Sequence, residues 1–196
     1  MQRRNFMLKS TTVLALGGLA LAGCTANKNT GAEAAAGAAD DRRAIDADVD
    51  STIQRLYATV GGSRELVAKS RGVLVFPSVI QAGFIVGAQY GKGALRVGGS
   101  SVGYYSTTSG SFGLQAGAQS KALIFLFMTQ DALDQFRNSK GWSVGGDATV
   151  ALVKVGANGN IDTTTATKPV QAFVLTNAGL MAGVSLEGAK ISRLDI

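Results

Sequence analysis

The sequence predicts an α+β domain: a strongly curved, largely antiparallel sheet or partial barrel, with N-terminal helices in front and one helix inserted. Three observations lead there. Before Ser70, apolar residues recur at helical spacing. From Gly72 onward they come in short runs punctuated by glycines. One stretch after Thr129 returns to helical spacing before the short runs resume. Glycines inside strands mark bulges, curvature or close backbone approach, so the sheet is expected to bend.

Residues 1–23 read as an export signal of the lipoprotein type. Arg3 and Arg4 precede an apolar run from Val13 to Ala22, and Leu21-Ala22-Gly23 lead into Cys24, the single cysteine. The paired arginines, with Phe6 and Lys9, resemble a twin-arginine export signal. The apolar run is too short for the ~20 residues of a spanning helix. Cleavage before Cys24 leaves a thiol that accepts a diacylglycerol and an amine that accepts another acyl chain. At about 0.8 kcal/mol per buried methylene, two or three chains anchor a protein durably. Residues 24–39 then read as an acylated N-terminus and a flexible tether of Ala, Gly, Asn and Thr. Asn27 and Lys28 follow Cys24 where a retention signal would carry aspartate, so the expected address is the outer membrane, facing the periplasm.

The folded domain is expected over residues 40–196. Asp40 or Asp41 is placed to cap a helix. Ile45, Val49, Ile53, Leu56, Tyr57 and Val60 form one apolar face, and Gly61-Gly62 ends the helix. Its aspartates set it apart from the Lys- and Arg-rich helices that lie on membranes, so it is expected to pack on the domain. Ser63 is expected to cap a short helix through Ser70.

Strands follow at Val73–Phe76, ended by Pro77, and at Phe84–Val86, Ala94–Val97, Val102–Tyr105, Phe112–Ala118 and Ala122–Met128. Thr129 is expected to cap a helix from Gln130 to Ser139, with Leu133 and Phe136 facing inward. Strands resume at Ala148–Val155, Val170–Thr176 and Leu180–Glu187, with a turn at Asn158-Gly159-Asn160.

Composition narrows the function. The chain has no histidine and one cysteine, which the lipid consumes. That excludes His-dependent and thiol catalysis, disulfides, and imidazole or thiolate metal sites. No catalytic residue, metal ligand or cofactor is expected. Asp131 and Asp134, three apart on a helix, could pair as glycosidase carboxylates do, but Asp131 in a first turn simply complements the helix dipole. The full chain carries +6, and from Ser51 onward 13 basic residues stand against 7 acidic. A basic envelope domain attracts anionic headgroups at about 1 kcal/mol per well-placed Lys or Arg. Nucleic acid is not an expected partner, because export removes the protein from it.

Several blocks carry a family resemblance. Arg71-Gly72-Val73-Leu74-Val75-Phe76-Pro77 and Ala82-Gly83-Phe84-Ile85-Val86-Gly87-Ala88-Gln89-Tyr90-Gly91-Lys92-Gly93 resemble the SYLF, or Ysc84-type, domain. Ser111–Gln119 and Gly179–Gly188 look like its second and third signatures, in the expected order over Val49 to Ile191. Gly103–Gly110 departs from the segment that relatives carry there. The resemblance implies a lipid-binding module. Eukaryotic members bind phosphoinositides and, in some, actin filaments; bacterial members are commonly exported lipoproteins. Actin does not carry over to an envelope protein. The resemblance places lipid contact on the amphipathic N-terminal portion and basic residues, which here are Arg64, Lys69, Arg71, Lys92 and Arg96, backed by Arg42, Arg43 and Arg55. Lys92 stands out because Gly91 and Gly93 are expected to expose its ammonium.

The expected function is thus a lipid-anchored envelope protein whose basic domain binds anionic phospholipid or a membrane surface. The alternative is a structural or protein-interaction lipoprotein, with Tyr104, Tyr105 and Trp142 at an interface and no specific lipid ligand. The protein partner in that case is unspecified.

Overall fold

The computed structural model describes residues 30–83, 86–112, 119–154, 161, 168–181 and 185–196. The export signal, Cys24, Phe84-Ile85, the Asn158-Gly159-Asn160 turn, most of the second signature and residues 182–184 of the third lie outside them.

Helix α1 spans Thr30–Thr59 and α2 spans Ser63–Lys69. Strands β1 (Gly72–Gly83), β2 (Val86–Val97), β3 (Ser100–Phe112) and β4 (Gln119–Phe127) follow as an antiparallel meander. Helix α3 (Gln130–Asn138) is the inserted helix, and Thr129 caps it by accepting from the Ala132 N–H. Five short strands complete the sheet: β5 (Trp142–Ser143), β6 (Val150–Leu152), β7 (Val170–Thr176), β8 (Gly179–Leu180) and β9 (Lys190–Leu194).

The strand order is β5-β9-β3-β2-β1-β4-β7-β6, with β8 also on β7. Among the described strand pairs, only β6 on β7 is parallel. A flat sheet would hold β5 about 24 Å from β4 at the usual strand spacing. Yet the Trp142 ring on β5 lies 6.1 Å from Phe125 and 6.2 Å from Phe127 on β4. The sheet therefore rolls into a half-barrel with that face inward, the curvature expected from the glycines.

Alternation along the strands divides the apolar residues between two cores. Phe76, Leu95, Tyr105, Phe125, Phe127 and Trp142 pack inside with Leu133 and Phe136 of α3. Val73, Val75, Ala94, Ile124, Leu126 and Phe173 face outward, under Ile45, Val49 and Leu56 of α1, Val60 just after it and Leu66 of α2. The expectation that α1 packs on the domain is met. Burying these side chains stabilises the helix by about 2 kcal/mol each.

Four details correct the sequence reading. Helix α1 begins at Thr30, not at Asp40 or Asp41, because the alanines read as tether are themselves strong helix formers. Ser63 is not an N-cap; Gly62, at φ 78°, holds that position, and the Ser63 hydroxyl donates instead to the Val60 and Leu56 carbonyls. Strand β1 continues through Pro77, because the register slips there against both neighbours, and such a bulge needs no proline N–H. Strand β3 runs through Gly103–Gly110, while β5 and β9 were not expected.

Candidate anion-binding cleft

A cleft of about 380 Å³ opens where α1, α2 and the β2–β3 turn meet, lined by Asp50, Tyr57, Arg71, Arg96, Gly98 and Gly99 among others. The local sequence builds it. Gly61-Gly62 ends α1, and the Ser63 hydroxyl satisfies the freed Val60 carbonyl at 2.6 Å, folding α2 back against α1. The Ser70 hydroxyl closes α2 on the Val67 carbonyl at 2.7 Å. The Arg71 N–H then donates to the Phe127 carbonyl at 2.7 Å, fixing the chain as it enters β1. Gly98 and Gly99, both at positive φ, turn β2 into β3 across the other side.

Of the expected cations, Arg71 lines this cleft, with Arg64 and Lys69 on the adjoining α2. The Arg71 side chain is exposed. The Arg64 guanidinium lies 4.2 Å from the centroid of the Tyr57 ring, which also lines the cleft. Lys69, exposed, sits between the lining residues Ala68 and Ser70. Among the described residues none of these three enters an ion pair, and their donors are free for an anionic ligand.

The other two expected cations are differently engaged, although Arg96 also lines the cleft. Lys92 pairs with Asp41 of α1 at 3.3 Å. Its flanking glycines do not serve to expose it. A Cβ on Gly91 would lie 2.8 Å from the Ser78 carbonyl oxygen, and one on Gly93 only 2.0 Å from that of Val75. Both glycines let β1 close onto β2 around the Pro77 bulge. Arg96 is mostly buried, its side chain 14% exposed. It donates to Asp50 at 2.8 Å, to the Asp46 backbone carbonyl at 3.2 Å and to the Gly99 carbonyl at 3.2 Å. Its charge is thus engaged in holding α1 and the turn rather than facing solvent. Of the supporting arginines, Arg43 pairs with Asp40, while Arg42 and Arg55 are exposed along α1.

Asp46 completes the fastening of α1, accepting from Ser101 at 2.5 Å and from the Tyr104 hydroxyl at 2.9 Å. Burial, with the Asp46 carboxylate beside it, raises the Tyr104 pKa above its ordinary 10.0. In the sequence, Asp46 and Asp50 are only polar positions off the apolar face. Their spacing of four along the helix was the available signal, and nothing in the chain named Arg96 as the partner.

The aromatics proposed for an interface lie elsewhere. Tyr105 packs on Phe136 with ring centroids 4.9 Å apart, and Trp142 is buried beside Phe125, Phe127 and Phe136. These two are core residues, which corrects the interface reading for them. The carboxylates considered for catalysis have local roles. Asp134 accepts from Gln130 at 2.9 Å, and Asp147 accepts from the Ser143 N–H at 2.6 Å. Among the described residues, no group of three or more Cys, Asp or Glu is arranged to hold a metal ion.

Residues 108–195 match the Ysc84 family, described as Las17-binding protein actin regulator. This part of the chain is a Ysc84-type domain. Further relatives agree. The SH3 domain-containing YSC84-like protein 1 of Homo sapiens is 32% identical over 135 residues, covering 63% of this chain and 37% of that protein. Its counterpart in Xenopus laevis is 30% identical over 132 residues, covering 63% of this chain and 38% of that protein. The chain thus spans under two fifths of the length of these curated relatives. The family description names a binding protein.

Proposed function

We propose that this is a lipid-anchored envelope protein whose Ysc84-type domain binds anionic phospholipid at the cleft between α1, α2 and the β2–β3 turn. The observation that carries the reading is that Arg71 lines one cavity, with Arg64 and Lys69 on the adjoining α2, all three exposed and free of ion pairs among the described residues. Tyr57 and Val67 give that cavity an apolar wall for the glycerol and upper acyl carbons, and the cations surround the phosphate. The anchor is Cys24 in the outer membrane, on the strength of the leader that precedes it. Actin regulation, in the family's description, belongs to relatives that share a compartment with actin.

Each cation contributes about 1 kcal/mol near an anionic surface, so the three together give roughly a hundredfold in affinity at low salt. Cosedimentation of residues 25–196 with vesicles tests this. Binding is expected to vesicles containing phosphatidylglycerol and not to pure phosphatidylcholine. It should fall steeply with salt and with joint Arg64→Glu, Lys69→Glu and Arg71→Glu substitution. Equal binding to the two vesicle types at low salt would remove the reading.

A further inference from the structure

We propose that the domain stands on its anchoring membrane with the cleft turned away from it, so that the cleft meets the anionic phospholipid of a second, facing bilayer. This rests on the acylation of Cys24 and the lipid affinity proposed above.

The direction of α1 carries the argument. Asp41 meets Lys92 and Asp50 meets Arg96. Those intervals are about 13 Å along the helix and about 13 Å along the strand, so α1 runs beside β2 in the same direction. The C-terminal part of α1 reaches the cleft through Ile53 and Tyr57. Its start, Thr30, lies about 16 Å beyond Asp41 in the opposite direction. The stretch from Cys24 to Thr30 spans at most about 20 Å when extended. The anchor and the cleft are therefore at opposite ends of a continuous 30-residue helix about 45 Å long.

The surface at the anchor end is suited to a bilayer. Ile80 and Tyr90 are partners across β1 and β2 and are 53% and 48% exposed, the two most exposed large apolar side chains among the described residues. Tyr90 shares its face with Lys92 two residues on, the face that α1 covers, but it lies further toward the start of the helix. There α1 offers only Ala34, Ala35, Ala36 and Gly37, too small to cover it. An exposed tyrosine beside an isoleucine matches the membrane–water interface, where the ring sits among headgroups. Lying flat on α1 gains little, because its exposed side is mixed in charge, with Asp40, Asp41, Asp48 and Asp50 against Arg42, Arg43 and Arg55, and so gives anionic headgroups no net attraction.

The experiment uses the full chain, expressed with its leader, checked for acyl chains by mass spectrometry and reconstituted into neutral phosphatidylcholine vesicles. Acylation blocks Cys24, so a fluorophore can be placed at Ala68→Cys by the cleft or at Tyr90→Cys. Energy transfer to a headgroup dye is expected to put the first label tens of ångströms higher above the bilayer. Equal heights would overturn the orientation without touching the lipid affinity. Phosphatidylglycerol vesicles added afterwards are expected to cluster with the loaded ones, at least tenfold more slowly for the joint Arg64→Glu, Lys69→Glu and Arg71→Glu variant. Undiminished clustering by that variant overturns the role of the cleft. Cosedimentation without clustering overturns the facing contact alone, whereas failure of both removes the lipid reading as well.

Discussion

Arg96 donates to Asp50 at 2.8 Å, joining the end of β2 to the middle of α1. The same guanidinium reaches the Asp46 and Gly99 carbonyls, so helix, strand and turn share one planar donor group. Arg96→Ala is expected to lower the unfolding free energy by about 2 kcal/mol, less than for a fully buried pair because Asp50 is well solvated. Asp50→Ala should cost under about 1 kcal/mol. Urea unfolding midpoints at constant slope separate the two; equal losses would mean that the Arg96 carbonyl contacts contribute nothing.

Gly93 and Gly110 make a matched pair. An added Cβ meets the Val75 carbonyl oxygen at 2.0 Å in the first case and nothing within 4 Å in the second. Gly93→Ala should destabilise by about 3 kcal/mol or more, whereas Gly110→Ala should stay within about 0.5 kcal/mol of the parent. Thermal melts followed by circular dichroism read both.

Lys121 on β4 shares the inner face with Leu123 and is half buried, and that burial lowers its pKa from the ordinary 10.5. A base whose folded pKa is depressed binds fewer protons folded than unfolded. Stability from this group therefore rises with pH between the folded value and 10.5. Lys121→Met should remove that rise and stabilise the protein at pH 7 by on the order of 1 kcal/mol. Denaturation of parent and variant at pH 7 and 10 checks it: a gap that does not narrow at the higher pH refutes the assignment.

Lys92 and Arg71 predict different lipid phenotypes. Lys92 is already neutralised by Asp41, whereas Arg71 is unpaired among the described residues. Arg71→Ala should weaken binding to phosphatidylglycerol vesicles about fivefold at low salt, and Lys92→Ala by less than twofold. Cosedimentation isotherms of the two variants supply the comparison.

The fold was largely legible because its two periodicities are clean. Ile45, Val49 and Leu56 mark a helix face, Thr129 a cap, and 170–176 an uninterrupted buried strand, which forms as expected. What escaped depends on long-range geometry. Pro77 signals a strand end locally, yet the bulge that accommodates it involves both neighbouring strands. Lys190–Leu194 carries too many polar residues to read as a strand until Ile191 is seen packed inside. At the cleft, the family resemblance names Arg64, Lys69, Arg71, Lys92 and Arg96 together. Arg96 and Lys92 needed the partners across space, at Asp50 and Asp41, to be told apart from the other three.

The rolled sheet has one further consequence, for the protein's behaviour at high concentration. Its two ends are the stubs β5 and β6, of two and three residues, tied together by the bridge between Val144 and Ala148. Neither gives an incoming chain a long row of unpaired amides to extend. At these two ends, many copies at high concentration can thus remain separate molecules instead of zipping edge to edge into fibrils.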